Sequence, residues 1–402
     1  MSALLDGLRV LDMSTMIAAP TTASLLADYG AEVIKLERPL TGDFVRKFGA
    51  QKQGQGLYWK TLSRNKKSVA LDLHLPETQE LMRSWVKKFD VVIENFRPGT
   101  LEKWGLGPNE LLTANPGLIL LRVTAYGQNG PYRDRPGFGT LAEAMTGVAS
   151  VTGYPDKPPL LPAFPLADVM AGYLGASAVL AALYRRNSSS EGEVIDLAIY
   201  EALLKVIELQ IIEFDQNGTL HKRNGNQLED TAPRGAYLCG DGQWIALSAS
   251  TQPIAERVLR AIGGEQLVQD PRFRTNLERV EHADALDSMI SDWCNKRARN
   301  EAIAELSQMG CAVGPLETVD SMFDNPQVKA RESVTTVSDP DLGPVRMTNI
   351  FPKFSNATPT LRAAGPALIG GDTVDVLQHD LGLSEEMLRN LLMPKTSSDN
   401  VK

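Results

Sequence analysis

The sequence predicts an α/β protein with a Rossmann-like parallel sheet in a large domain and a smaller α+β domain inserted into it. Three observations carry this. Apolar runs alternate with helix-like runs through the first half of the chain, which is the pattern of βαβ units. Those apolar runs are near-continuous rather than alternating, as in a sheet covered on both faces. Polarity and glycine content then rise at 215–235, ahead of a segment that reads as a hairpin.

Taken in order, LRVLDM (8–13) is a strand and PTTASLLADYG (20–30) is a helix, with Pro20 at its start and Gly30 as its stop. AEVIKLE (31–37) closes the first βαβ unit. SVALDLH (68–74) reads as a strand, PETQELMRSWVKKF (76–89) as a helix, and DVVIENF (90–96) and LILLRV (118–123) as further strands with a short helix between them. A long helix is expected from Asp168 to about Arg186, followed by a loop at 187–193. The segment 194–214 reads as one strand and one helix, 236–250 as a hairpin turning at GDG, 252–310 as helical runs, and 371–394 as a single helix before a polar tail. The large domain is therefore expected to comprise 1–204 and 346–402. The small domain is placed at 236–317, with linkers at 205–235 and 318–345.

Composition narrows the function. Of 402 residues, 43% are apolar and 22% charged, as in ordinary globular chains. A net charge of −8 disfavours a broad nucleic-acid surface. Cys239, Cys294 and Cys311 are far apart and form no CxxC pair, and with four histidines and no HExxH neither a disulfide framework nor a metal site is expected. The N-terminus has no basic region followed by an apolar block. The longest uncharged apolar run, 169–184, is shorter than the roughly 20 residues a bilayer needs. The expectation is a cytoplasmic protein with no membrane contact.

A doubly wound sheet binds its ligand beyond the carboxyl ends of the strands. That rule selects Ser14 to Ala18, Arg38, His74, Asn95 to Arg97 and Ala125 to Gly127. No GxGxxG follows the first strand and no GxxxxGK[ST] occurs, so the usual nicotinamide, flavin and triphosphate fingerprints are absent. Asp168 stands apart as a lone acid heading the uncharged stretch 169–184, which is rich in glycine and alanine and ends at Arg185 and Arg186. Two readings compete: a helix N-cap, or a reactive carboxylate in a dry crevice.

Several segments together resemble family III CoA-transferases, the CaiB/BaiF type. They are LDGLRVLDMSTMIAAPTTASLLADYGAEVIKLERP at the N-terminus, SRNKKSVALDL (63–73), DVVIENFRPGTLEKWGLG (90–107), AYGQNGPYRDRPGF (125–138), PLADVMAGYLGASAVLAALYRR, GEVIDLAIYEALL (192–204), NPQVKARE and PKFS (352–355). The likeness runs along nearly the whole chain, in order. It implies that Asp168 is the nucleophile, forming a mixed anhydride and then an aspartyl-CoA thioester, in surroundings that exclude water. It implies that no cofactor is permanently held and that a coenzyme A thioester is the substrate, with a small carboxylic acid as its partner. It places Arg38 near the adenosine phosphates, with Arg97 and Lys103 at the nucleotide end. Ala18, Leu71, Asp72, Leu73, His74, Asn95 and Phe96 would line the adenine and pantetheine path, largely through backbone. It also implies an interlocked homodimer.

The alternatives are an acyl-CoA racemase or isomerase of the same superfamily and a CoA-thioester-binding protein without turnover. A racemase pairs the aspartate with a histidine near RPGFGTLAEAM, and none is present there. Phe138 is read as packing. Where formyl-CoA transferases carry a run of glycines, this chain has NGNQLED (224–230), which fits the carnitine-type branch better and leaves Gly225 as a source of flexibility.

Overall fold

The computed structural model describes residues 3–392. Its centre is a six-stranded sheet built from β1 (Arg9–Asp12), β2 (Glu32–Glu37), β3 (Lys66–Ala70), β4 (Val91–Glu94), β5 (Ile119–Thr124) and β6 (Glu193–Ala198). The spatial order is β3-β2-β1-β4-β5-β6 and every pairing is parallel. Leu11 sits opposite Ile34 on one side and Val92 on the other. Chain order reverses between β1 and β4, the switch point at which such sheets open a crevice.

The inner strands β1, β2, β4 and β5 are buried on both faces, and the apolar runs explain most of that. Val10, Leu11, Ile34, Val91, Ile93 and Ile119 to Leu121 are almost fully enclosed. The charges set into those runs are enclosed as well. Lys35 and Glu37 of β2, Asp12 of β1 and Glu94 of β4 are buried, where expectation puts charged side chains in water. They survive because they are paired. Glu37 accepts from Arg46 Nε at 2.6 Å, and Glu94 from Arg122 Nε at 2.6 Å.

The helices of the first unit used below are α1 (Ala18–Asp28), α2 (Pro76–Trp85), α3 (Gly139–Met145), α4 (Leu166–Ser189) and α5 (Ile199–Leu204), and α6 (Glu208–Asn217) follows them in the chain. The small residues of α4 have a packing cause. A Cβ on Gly172 would lie 2.5 Å from Thr21 Cβ, and one on Gly175 would lie 2.5 Å from Thr22 Oγ1. Only glycine lets α1 come this close, and Thr22 Oγ1 then donates to the Gly172 carbonyl at 2.9 Å. The other side of α4 is exposed, with Tyr173, Leu174 and Tyr184 in solvent. By length and composition α4 could cross a membrane, but here its glycine face packs against α1.

The described residues form two compact units: 3–146, 162–208 and 330–392 make up the first, and 147–161 with 209–329 the second. The second unit has its own core, including Tyr237, Ile245, Leu247, Val258, Phe273, Ile290 and Trp293. Its hairpin is β7 (Arg234–Leu238) and β8 (Trp244–Ser248), joined through Gly242 at φ 78°, with β9 (Val313–Pro315) as a third strand.

Several expected boundaries are corrected. The strand expected at 68–74 is Lys66–Ala70, and Leu71 to His74 form a turn beyond it. The helix expected at 371–394 is two helices, Thr373–Leu381 and Glu385–Leu392, because Gly382 takes φ 64°. α4 runs to Ser189, into the expected loop. The segment 194–214 holds β6 and two helices, α5 and α6, so part of the supposed linker is helical.

Candidate active site

The loop after β1 opens the crevice. Met16 is held at φ 67°, a left-handed conformation that costs a residue with a Cβ. Its neighbours hold it there. The Thr15 N–H donates to Asn95 Oδ1 at 2.8 Å, and Asn95 Nδ2 donates back to the Thr15 carbonyl at 2.7 Å. The Met16 N–H donates to Asp43 Oδ1 at 3.3 Å. The side chain of Asn95 thus clamps the β1 loop.

A cavity of about 270 Å³ opens past the ends of β1, β4 and β5. Ala18, Asn95, Phe96, Arg97 and Asp168 all line it. Ala125 and Tyr126, which the strand-end rule selects, line it too, together with Arg133, Arg135 and Phe138, which it does not select. The packing role expected for Phe138 is not observed, since it is 62% exposed. Arg135 lies flat over Tyr132 at 3.7 Å.

The remaining expected residues gather further along the same edge of the sheet. Arg38 follows β2, and Asp72 and His74 follow β3. His74 Nδ1 lies 2.8 Å from Asp72 Oδ1. Burial pushes the Asp72 carboxyl up, but the His74 amide and ring, with Arg38, outweigh it and hold it below the usual range. Leu71 and Leu73 are enclosed in the core, so only their backbone is available there. Trp104, which the sequence reading passed over, packs edge-on against both His74 and Phe96, with ring centroids 5.2 and 5.1 Å away. Lys103 is exposed on the short helix Thr100–Lys103.

Asp168 is not an N-cap. The cap position of α4 is Pro165, and Asp168 falls in the first turn with no side-chain capping bond. Its carboxyl is pushed up to about 6, by burial first and by Glu143 second, while a hydrogen bond from the Gly139 backbone pulls the other way. Desolvation and a like charge thus outweigh the backbone hydrogen bond at this carboxyl. Gly139 is required by contact: a Cβ there would sit 2.7 Å from Asp168 Oδ2. Gly139→Ala should displace the carboxylate and lower the turnover rate by about 10²-fold, with an unchanged unfolding midpoint. Full activity in that variant would show that the position of Asp168 is not critical.

In the second unit, Gly225 is no free hinge. It takes φ 62°, its N–H donates to the Gly153 carbonyl at 2.9 Å, and a Cβ would strike Tyr154 at 2.8 Å. Among the described residues no cluster suits a metal ion, and the three cysteines are free and buried.

A parallel sheet in the β3-β2-β1-β4-β5-β6 order, with a carboxylate and several arginines at its carboxyl edge, defines an α/β enzyme acting on anionic ligands. The chain belongs to CoA-transferase family III, whose profile matches residues 5–373, and it is a CoA-transferase. It is 41% identical over 388 residues, 96% of each chain, to succinyl-CoA–D-citramalate CoA-transferase of Chloroflexus aurantiacus. It is 38% identical over 391 residues, again 96% of each chain, to the beta subunit of succinyl-CoA–L-malate CoA-transferase of the same organism. The crystal structure of a CaiB/BaiF family protein from Brucella suis superposes with a TM-score of 0.83 at 31% identity, covering 94% of this chain and 100% of that one.

Proposed function

We propose that this protein transfers coenzyme A reversibly from an acyl-CoA to a carboxylic acid by a ping-pong route in which Asp168 becomes an aspartyl-CoA thioester. The observation that carries the reading is that Asp168 is the one carboxylate among the described residues lining the cavity. It is also partly withdrawn from water. An Asp168 oxygen attacks the thioester carbonyl, the C–S bond breaks, and CoA leaves as thiolate. The thiolate then attacks the Asp168 carbonyl of the mixed anhydride and releases the first acid as carboxylate. The acceptor carboxylate repeats both steps in reverse. No proton is consumed, so no histidine is needed, and none lines the cavity.

The CoA would lie along the carboxyl edge of the sheet. Arg38 and the Asp72–His74 turn receive the nucleotide, with Trp104 and Phe96 offering aromatic edges. Arg97 and Lys103 offer charge to phosphate. Ala18 and Asn95 pass the pantetheine toward Asp168. Strands about 4.8 Å apart put roughly 20 Å between β3 and β5, a span that separates a nucleotide from its thioester. Arg133 and Arg135 line the reactive end, Arg133 beside Asp134 at 3.4 Å and Arg135 over Tyr132. They suit the second carboxylate of a dicarboxylic acid, the kind of acid named for both Chloroflexus relatives.

The test is chemical trapping. With an acyl-CoA such as succinyl-CoA present, hydroxylamine should convert Asp168 to its hydroxamate, seen by peptide mass spectrometry. Labelling of a different residue, or of none, overturns the reading.

The protein is further proposed to be a homodimer. α6 has no buried residue although Leu209, Ile211, Ile212 and Phe214 are apolar, and the outer side of α4 exposes Tyr173, Leu174 and Tyr184. Apolar surface on this scale marks a partner. Sedimentation equilibrium should give twice 43.8 kDa. A mass of 43.8 kDa would refute the dimer.

A further inference from the structure

Glu143 is a second carboxyl group beside Asp168, and the transfer chemistry by itself does not call for it. It sits on α3 one turn after Gly139 and is 3% exposed. Its Oε1 accepts from the Ala167 N–H, the residue before Asp168, at 3.4 Å. It does not line the cavity, so substrate does not touch it. The protein treats its other buried acids differently. Asp12, Glu37 and Glu94 each meet a lysine or arginine within 2.9 Å. Among the described residues no lysine, arginine or histidine forms an ion pair with Asp168 or with Glu143. An enclosed carboxylate left beside a half-buried one, with no cation paired to either, costs stability, and such a cost recurs at functional sites.

We infer that Glu143 is a positioning residue whose negative charge raises the energy of the Asp168 carboxylate, so that conversion of Asp168 to its neutral CoA thioester is favoured. The inference rests on the proposed role of Asp168. In the half-reaction, the acyl–sulfur bond of the substrate breaks and an aspartyl–sulfur bond forms. The negative charge leaves with the released acid, and with it the repulsion from Glu143. An ordinary aspartate, with a pKa of ~3.9, is a weaker base than most aliphatic acids, so its thioester would lie uphill of theirs. Raising the basicity of the carboxylate removes that penalty, about tenfold in the equilibrium per unit of pKa. Burial is the larger cause that pushes the Asp168 carboxyl up to about 6, and Glu143 is the second.

The other groups at the site are few. Tyr58 faces Asp168, and its phenol is pushed up by burial and by that carboxylate. Arg97, Arg133 and Arg135 share the cavity but form no ion pair with Asp168. The Gly139 N–H donates to Asp168, and the Ala167 N–H donates to Glu143.

Glu143→Gln keeps an acceptor for Ala167 and removes the charge, and Glu143→Asp keeps the charge. The pH dependence of the transfer rate and the equilibrium fraction of Asp168 trapped by hydroxylamine are measured for both, at a fixed ratio of succinyl-CoA to succinate. In the glutamine variant the acid limb of the rate should move to lower pH, and the trapped fraction should fall by about three-fold or more. The aspartate variant should retain the acid limb. A slower glutamine variant with unchanged acid limb and trapped fraction would make Glu143 merely structural and overturn the inference, while the transfer reading stands. Trapping that never reaches Asp168 in the unaltered protein would instead remove the reading on which the inference rests.

Discussion

Asp168→Ala should lose at least ~10³-fold in the rate of CoA exchange while unfolding at no lower temperature than the unaltered protein. The first half follows from covalent catalysis. No other described residue lining the cavity has a carboxylate. The hydroxyls of Thr15, Thr124 and Tyr126 would form oxygen esters, which do not conserve thioester energy, so no neighbour can substitute. The second half follows from the electrostatics. A carboxyl raised from 3.8 to about 6 in the folded protein binds its proton more tightly there than when unfolded. Its contribution to stability is complete below about pH 4 and is lost as pH rises through about 6. At pH 8 the ionised side chain therefore costs the fold up to about 3 kcal/mol, at 1.36 kcal/mol per unit. Asp168→Asn, which keeps the shape, should be more stable than the parent at pH 8 by as much as that, with the gain vanishing at acid pH. The checks are rates across a panel of CoA donors and mono- or dicarboxylic acids, and thermal unfolding at several pH values. A variant that still exchanges CoA at the parental rate would return Asp168 to the role of an ordinary helix residue.

Much of the large unit was legible because its signals are local. Near-continuous apolar runs such as DVVIENF and LILLRV become β4 and β5, and glycine or proline punctuation separates them. The rule that ligands gather at strand ends brought Ala18, Asn95, Phe96 and Arg97 to the cavity that holds Asp168. What escaped depends on contacts distant in sequence. The small residues of α4 look like a dry lining for a reactive group, yet Gly172 and Gly175 exist to admit α1. Glu143 lies in LAEAM, an ordinary amphipathic pattern, and becomes notable only when α3 carries it beside α4. Trp104 is four residues past the start of a short helix, and nothing local says that it will bracket both His74 and Phe96. Strand ends misled where a turn replaces the last residues, as at Leu71 to His74, because an apolar alternation continues through a segment that has left the sheet.

The largest loss of stability should come from the buried charges under the β1 loop. Lys35 Nζ pairs with Asp43 Oδ2 at 3.0 Å and Asp12 Oδ1 at 3.6 Å, and it donates to the Ser14 carbonyl. Lys66 Nζ pairs with Asp12 Oδ2 at 2.9 Å and donates to the Pro20 carbonyl at 3.0 Å. Two positive and two negative side chains thus cancel where all four are enclosed. Burial works against the charge on Asp12, Lys35 and Lys66 and holds Lys66 below its ordinary value, but Asp12 and Asp43 hold the Lys35 ammonium above its ordinary value, and Lys35 with Lys66 holds Asp12 below. Lys35→Met fills the same space and leaves Asp12 and Asp43 to share one lysine. Such a loss typically costs about 3–5 kcal/mol. It should appear as ~10²-fold or greater loss of hydrogen-exchange protection at Leu11 and Ile34, whose strands pair across this cluster. Adding Asp43→Asn removes the surplus charge and should restore part of the protection, which separates a charge effect from a packing effect. The same atoms connect stability to the site, because Asp43 Oδ1 also holds the strained Met16 N–H. If Lys35→Met left both protection and CoA affinity unchanged, the cluster would be neither a stabiliser of the sheet nor a support for the loop.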